Sequence, residues 1–199
     1  FSLLSSEIII EEDEVWGSME INKSLPYKIE LELEQQFRSN DNFQNIYKMF
    51  TDVSLSYPLH SFVDISGKFR FIFADDEKEK RYGISIKVDP FDKFYIPNYK
   101  IKIQQDYDHN DEPEDMVVRN KFTFSFPKLN SLKPNIYYES YHIDEDEEFV
   151  YDKYRLSGGV DYTINSEYSF ELFYIYKYEF KKKNDEVTNI MGLKFEYTF

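Results

Sequence analysis

A strict alternation of apolar and polar residues over positions 27–38 constrains the fold of this chain more than any other feature. In the segment YKIELELEQQFR, Tyr27, Ile29 and Leu31 stand at every second position, and charged side chains stand between them. Side chains of a β-strand point alternately to its two faces, so this pattern predicts a strand with one apolar and one polar face. Strands of soluble proteins run about five or six residues, whereas a tilted strand that crosses a bilayer needs about nine to eleven. The length of the segment therefore favours a membrane-crossing strand.

Residues 168–180 repeat the alternation with an apolar face made largely of aromatic rings. The chain carries 18 Tyr and 19 Phe among its 199 residues, and aromatic side chains favour strands. A soluble protein that exposed such a face would aggregate. A soluble β-sandwich also has alternating strands and is the alternative fold, but its strands are shorter. We therefore expect an all-β, up-and-down antiparallel transmembrane β-barrel that forms a single domain over residues 1–199.

The alternation can be followed through eleven segments of the chain. A single-chain bacterial barrel normally has an even number of strands, so we expect twelve strands, with residues 2–10 as an additional first strand. The alternatives are ten strands, with the segment of Trp16 excluded, or a remnant of an export signal within residues 1–13. The eleven segments are 15–24, 27–39, 47–58, 62–75, 80–90, 98–108, 115–127, 134–143, 152–164, 167–181 and 188–199.

The connections between these segments also alternate. Those after the odd-numbered segments are short or turn-like, whereas those after the even-numbered segments are acidic, as in residues 106–115 and 144–152. Outer-membrane barrels combine short periplasmic turns with longer external loops, so we expect the acidic connections to form outward loops. These loops would hold most of the formal net charge of −14, a charge that excludes nucleic acid as a partner. Their carboxylates do not have the spacing of an EF-hand calcium loop, so we expect solvated loops rather than cation sites.

Four short motifs mark the beginnings, centres and ends of the predicted strands. They are Trp16, EQQFR at 34–38, DVSLSY at 52–57 and KFEYTF at 194–199. Taken together they resemble a family of uncharacterised outer-membrane β-barrel proteins, a domain of unknown function that is frequent in Bacteroidota. The resemblance covers the chain from Trp16 onward, and it implies an outer-membrane barrel without a catalytic residue to carry over. The sequence departs from the family where paired arginines usually stand, since Lys100 and Lys102 occupy those places.

The polar faces of the strands are expected to line the lumen, because the apolar faces meet lipid. Acidic and basic residues are nearly balanced on these faces, which predicts ion-pair networks that fill a narrow lumen rather than the single-sign ring of a selective pore. The members of this lumen charge network are Glu30, Glu32, Glu34, Arg38, Lys68, Arg70, Lys100, Lys102, Arg119, Lys121, Arg155, Glu171, Lys177, Lys194 and Glu196.

Aromatic residues at strand ends suggest two further roles. Phe195, Tyr197 and Phe199 resemble the carboxy-terminal signal by which the barrel-assembly machinery recognises outer-membrane proteins. Trp16 and Tyr27 are expected to lie in the aromatic girdles where a barrel meets the membrane interfaces.

The chain offers no clear catalytic, cofactor-binding or metal-binding set. It has no Cys and only three His, so nucleophilic catalysis would depend on the pair Ser140 and His142 near the outer end of one strand. Their spacing shows only that the two side chains share a strand face. We therefore expect no enzyme and no cofactor.

The expected protein is an integral barrel of the bacterial outer membrane that acts as a non-enzymatic structural or accessory subunit of an envelope protein complex. Its expected partners are outer-membrane lipid and lipopolysaccharide, another outer-membrane or envelope protein, and the barrel-assembly machinery during insertion. A small passive outer-membrane channel for ions or small solutes is the alternative function. An outer-membrane lipid enzyme is the third.

Overall fold

The computed structural model describes residues 9–10, 13–40, 45–74, 77–90, 97–145, 148–181 and 184–199. Almost all of these residues lie in β-strands, as the alternation predicts. A single 3-10 turn, Pro26–Lys28, is the one helical element of the described residues. The strands are β1 (Ile9–Ile10), β2 (Glu14–Ser24), β3 (Glu30–Asn40), β4 (Asn45–His60), β5 (Val63–Ala74), β6 (Glu77–Val88), β7 (Asn98–Tyr107), β8 (Pro113–Ser125), β9 (Leu132–Glu145), β10 (Glu148–Thr163), β11 (Tyr168–Glu179) and β12 (Glu186–Thr198).

The long strands β2 to β12 close into an eleven-stranded barrel. Each pairs with the next in antiparallel orientation, and β12 then pairs with β2 in parallel, with Met191 opposite Val15 and Tyr197 opposite Ile21. This seam is parallel because the number of strands is odd: when every strand reverses direction, the first and the eleventh run the same way. Closure leaves no free edge in the barrel wall.

The expectation of twelve strands, and its alternative of ten, was wrong. Ile9 of β1 lies opposite Glu186 of β12 in parallel orientation, just before the part of β12 that pairs with β2. Strand β1 therefore continues the line of β2 along the same edge and does not add a strand to the wall. The even-number rule failed because a parallel seam can close an odd barrel. Residues 1–8 and 11–12, on which the other expectations for the amino-terminal segment fall, lie outside the described residues.

All eleven predicted segments are strands, and their ends differ from the prediction by a few residues. The predicted difference between short turns and long acidic loops is wrong, however. β5 ends at Ala74 and β6 begins at Glu77, while β9 ends at Glu145 and β10 begins at Glu148. Most described residues of the acidic stretches continue the ladders: in the stretch 106–115, residues 106–107 belong to β7 and residues 113–115 to β8.

The two faces of the barrel wall differ in polarity. Outward side chains include Ile84 at 64% exposure, Met191 at 60% and Leu172 at 60%, all in apolar positions of the alternation. Inward positions hold buried polar groups such as Asp52 and Gln104. Among the described residues, the chain forms no helix with the length and apolar character of a membrane-spanning helix.

Candidate functional site in the barrel lumen

Two cavities lined by described residues lie inside the barrel. The larger has a volume of about 460 Å³ and includes Trp16, Arg38 and Arg155 in its lining. The smaller has a volume of about 220 Å³ and is lined mainly by serines, lysines and arginines, Lys100 and Lys102 among them. Both cavities are lined by Arg70, Arg119, Lys121 and Glu139, which we call the neck. The neck is therefore where charged side chains separate the two spaces.

The most buried charge in the lumen is Asp52 of β4, whose side chain is 1% exposed. Arg70 of β5 donates two hydrogen bonds to its carboxylate, at 2.6 and 2.7 Å, and Lys68 Nζ lies 2.7 Å from Oδ2. Lys68 also lies 3.2 Å from Glu32 and 3.5 Å from Glu34. Asp52 and Arg70 are register partners in neighbouring strands, so the alternation itself brings them face to face.

Four other groups of ion pairs tie neighbouring strands together. Arg119 Nη2 donates to Glu139 at 2.7 Å, and the Tyr141 hydroxyl donates to the other carboxylate oxygen at 2.7 Å. Arg81 forms a bidentate pair with Asp106. The remaining pairs join Lys194 to Glu20 at 2.7 Å, Lys153 to Glu179 at 2.7 Å, and Lys177 to Glu179 at 3.3 Å.

The wall formed by β6, β7 and β8 carries an excess of positive charge. Lys100 stands directly opposite Lys87 on one side and Lys121 on the other, and Lys102 stands opposite Arg119. Like charges directly across a strand pair are destabilising. Lys100, Lys102 and Lys121 form no ion pair with any described residue. The side chain of Lys102 instead lies over Gly83, and a β-carbon at Gly83 would be only 2.6 Å from Cε of Lys102.

The wall formed by β12, β2 and β3 carries an excess of negative charge. Carboxylate oxygens of Glu20, Glu32 and Glu34 lie within 4.8 Å of one another, and Glu196 accepts a hydrogen bond from Asn22 at 3.0 Å. Lys194 and Lys68 flank this group and pair with it. In a closed barrel with this strand order, β2 lies across the lumen from β7 and β8. The nearly balanced charges predicted from the sequence are thus separated onto two opposing walls.

An alternating row of aromatic rings and arginines crosses the larger cavity. The guanidinium carbon of Arg38 lies 3.8 Å from the centroid of the Trp16 ring and 4.3 Å from that of Phe50. The guanidinium carbon of Arg155 lies 5.2 Å from the Trp16 centroid and 5.0 Å from that of Tyr141. The Nε atoms of Arg38 and Arg155 are buried and have no hydrogen-bond partner among the described residues. We call Arg38, Trp16 and Arg155 the arginine–tryptophan group.

The expectation that Trp16 lies in a membrane girdle was wrong. The residue is 5% exposed and packs inside the barrel with Ile175 and Ile190, and its Nε1 donates to Glu14 at 2.6 Å. The alternation contained the correct answer, because Trp16 shares its face with Ser18 and Glu20. The expectation for Trp16 relied on its residue type and not on its position in the alternation. Phe50, Tyr137 and Tyr141 are further inward aromatic residues that the sequence analysis did not single out.

The predicted lumen residues all occupy inward positions of their strands. Most line one of the cavities or take part in the ion pairs above. Glu171 and Lys194 line the larger cavity, and Lys177 lies 3.7 Å from Glu14. Glu30 shares this face at the start of β3 but is exposed.

The residues of the predicted assembly signal form an aromatic strip on the outward face of β12. Tyr168 of β11 stacks on Phe195 and Tyr197, with centroid distances of 6.0 and 5.0 Å, and Tyr197 stacks on Phe199 at 5.5 Å. Recognition of this strip by the assembly machinery stays a prediction.

Ser140 and His142 share the outward face of β9. His142 packs against the ring of Tyr151 at a centroid distance of 5.2 Å, and its Nδ1 has no hydrogen-bond partner among the described residues. Since no hydrogen bond joins the two side chains within the described part of the chain, the geometry of an activated serine is not present there.

The barrel is similar in fold to the NanC porin solved in a rhombohedral crystal form. The TM-score is 0.54 and the sequence identity 11%, and the alignment covers 87% of this chain and 90% of that chain. Among curated proteins no match was found. Residues 13–188 match the profile of a family described as a protein of unknown function, DUF2490, which agrees with the kind of family that the sequence motifs resembled. Because this match spans most of the sequence, the chain belongs to the DUF2490 family.

Proposed function

We propose that this protein is a barrel of the bacterial outer membrane and provides a narrow passive channel for small charged solutes. The observation that carries this proposal is the lumen, in which two cavities meet at the neck of Arg70, Arg119, Lys121 and Glu139. A barrel interior that served only as a core would be filled with paired or apolar side chains. Here the cavities adjoin charges that no described residue neutralises.

The like-charged register of β6, β7 and β8 supports a channel more than a structural role. Four lysines and Arg119 face one another across neighbouring strands, an arrangement that lowers the stability of the folded barrel. Rings of charged side chains are the usual means by which channels favour ions of one sign. The residues that cost stability are therefore those that a passage for anions would use.

The membrane location is supported by the outward face and by strand length. The strands of the barrel wall run from 10 to 16 residues, and a bilayer-crossing strand needs about nine to eleven. Large apolar side chains such as Ile84 and Met191 are more than half exposed on the outer wall. A surface of this kind is unfavourable in water and favourable in lipid.

Conductance measurements on the purified protein in planar bilayers test this function. We expect discrete current steps that scale with protein concentration. The absence of steps from protein that has inserted into vesicles as a folded barrel would overturn the proposal. Protein that partitions into the aqueous phase and not into vesicles would overturn the membrane location as well.

The accessory role expected from the sequence remains a second candidate. An apolar groove of about 440 Å³ on the outer wall between β6 and β7, lined by residues such as Tyr82, Ile84 and Ile103, supports it. A partner protein in the same membrane could pack there in place of a lipid chain. A photo-crosslinking residue at position 84 would test this role in intact cells. A discrete protein adduct is the expected result, and labelling of lipid alone would count against the role.

A further inference from the structure

Arg38 and Arg155 stand apart from the other arginines of the lumen. Arg70, Arg81 and Arg119 each donate to a carboxylate. The one hydrogen bond of Arg38 to a described residue runs from Nη2 to the amide oxygen of Gln36 at 3.3 Å, and Arg155 makes none with the described part of the chain. Burying a cation without an acceptor is costly. These two guanidinium groups therefore need a hydrogen-bond acceptor that the described residues do not supply.

The aromatic rings beside the two arginines do not replace that partner. A guanidinium group that stacks on an aromatic ring lies with its plane parallel to the ring. Its N–H groups then point along the guanidinium plane and not at the ring. The guanidinium carbon of Arg38 lies over the rings of Trp16 and Phe50. That of Arg155 lies over the rings of Trp16 and Tyr141. The rings cannot accept the in-plane N–H groups. The N–H groups of both arginines are therefore available to donate hydrogen bonds to an acceptor in the cavity.

Nearby carboxylates do not serve as that acceptor. Glu139 is the register partner of Arg155, but its oxygens accept hydrogen bonds from Arg119 and Tyr141. Glu14 accepts from the indole of Trp16. Lys48 is the register partner of Arg38 and adds a further positive charge. An anion that enters the cavity would meet cations on several sides.

We infer that the larger cavity binds a small organic anion through a carboxylate or phosphate group, which accepts hydrogen bonds from Arg38 and Arg155 beside the Trp16 ring. Carboxylate and phosphate match the planar donor edge of arginine in bidentate geometry. The cavity of about 460 Å³ falls in the range of small-molecule sites, about 300–1,000 Å³. The apolar part of such a solute has the rings of Trp16, Tyr141 and Phe173 to contact.

This inference deepens the proposed channel, because it assigns the class of solute that would enter the lumen, and it rests on that function for its physiological meaning. Binding itself can be measured without any conductance. The protein has a single tryptophan, and this residue is Trp16. Its fluorescence therefore reports on the arginine–tryptophan group alone.

The test is a fluorescence titration of the folded barrel in detergent with gluconate, inorganic phosphate and glucose at constant ionic strength. We expect saturable changes in emission with gluconate, with phosphate or with both, and none with neutral glucose. Response to gluconate alone assigns a carboxylate site, and response to phosphate alone assigns a phosphate site. No saturable change with either anion overturns the inference.

Variants separate binding from folding. The double substitution Arg38→Gln and Arg155→Gln should weaken anion binding at least about tenfold, and the conservative Arg155→Lys should weaken it less. Lys80→Gln is the matched control, since Lys80 is an exposed residue that pairs with Asp111 outside the lumen, and it should bind like the wild type. Unchanged binding in a folded Arg38→Gln and Arg155→Gln protein would place the anion elsewhere.

Failure of this inference can be distinguished from failure of the channel. A barrel that conducts ions but shows no Trp16 response keeps the proposed function and loses the anion site. A barrel that binds anions with a Trp16 response but never conducts keeps the site and loses the channel.

Discussion

The ring of Phe173 occupies the space that a side chain at Gly192 would need. A β-carbon at that position would overlap three carbons of the Phe173 ring. The two residues are register partners on β11 and β12, and Trp16 lies opposite Gly192 across the seam. The glycine thus lets an aromatic ring lie flat against the inner wall.

Substitution of Gly192 by alanine should destabilise the barrel by about 1–3 kcal/mol, the usual cost of an overpacked site. Urea unfolding of the barrel in vesicles measures this change. Gly17→Ala and Gly67→Ala are matched controls, because no atom lies within 4 Å of a β-carbon at either position. Adding Phe173→Ala should relieve the Gly192→Ala defect, and a purely additive double variant would contradict this explanation.

Substitution of Asp52 by asparagine should lower the free energy of unfolding by about 3 kcal/mol, because it removes the buried carboxylate that pairs with Lys68 and Arg70. Thermal and urea unfolding measure the loss. Asp111→Asn breaks the exposed pair with Lys80 and should change stability by less than about 1 kcal/mol. Equal losses of stability in the Asp52→Asn and Asp111→Asn variants would show that burial does not increase the contribution of Asp52 to stability.

Removal of the ion pair between Arg119 and Glu139 of the neck should raise single-channel conductance. The double substitution Arg119→Ala and Glu139→Ala removes both members of one ion pair, so it widens the passage between the two cavities without changing the net charge of the lumen. Planar-bilayer recordings of this variant, with Lys80→Ala as the control, give the measurement. An unchanged conductance would mean that ions do not pass through the neck.

The parallel seam makes a prediction about disulfide formation, and the chain has no native cysteine to interfere. Cysteines at Val15 and Met191, or at Ile21 and Tyr197, are register partners and should cross-link, since neighbouring strands place their Cα atoms within disulfide range. Cysteines at Val15 and Tyr197 are six positions out of register, about 20 Å apart, and should not cross-link. The opposite pattern on non-reducing gels would favour an antiparallel seam and a different number of strands.

The turn at Asp108 should keep its order in mildly acidic solution. The backbone N–H of Glu112, at 2.8 Å, and that of Asn110, at 2.9 Å, donate to the Asp108 carboxylate, and these bonds hold the pKa of Asp108 below its ordinary value. A lowered pKa means that the carboxylate stabilises the turn above the ordinary range near pH 4 and loses this effect as the pH falls through the lower, folded value.

Hydrogen exchange of the Asn110 and Glu112 amides against pH measures this effect. Protection should fall only at acidic pH in the wild type and should be reduced at every pH in Asp108→Ala. Asp111→Asn, which leaves both amide bonds in place, serves as the control. Full protection in Asp108→Ala would show that the carboxylate does not hold the turn.

The strands could be predicted from the sequence because alternation is a local property. The segment 27–39 corresponds to β3 apart from its first residues, and Arg38 and Arg155, which the same argument places on the polar face, line the larger cavity. The number of strands was wrong because it depends on how β2 meets β12, two strands that are far apart in the sequence. Trp16 was misplaced because its residue type suggested an interface while its position on the strand indicated the lumen.

The lack of partners around Arg38 and Arg155 could not be predicted in the same way. Composition showed nearly equal numbers of acidic and basic residues on the polar faces, which suggested that each cation has a carboxylate. Pairing depends on the register of each strand against its neighbours. In this barrel the register places Lys100 beside Lys121 and groups Glu20 with Glu34, so equal numbers did not produce equal pairing.

Opposing walls of unlike charge create an electric field that runs across the lumen, at right angles to the barrel axis. The field points from the lysine-rich strands β6 to β8 toward the glutamates of β2 and β3. A solute with separated positive and negative ends would be turned sideways as it passed, with its negative end against the lysines. The barrel would then sort solutes by the arrangement of charge within the molecule, and two compounds of the same size and net charge would cross at different rates.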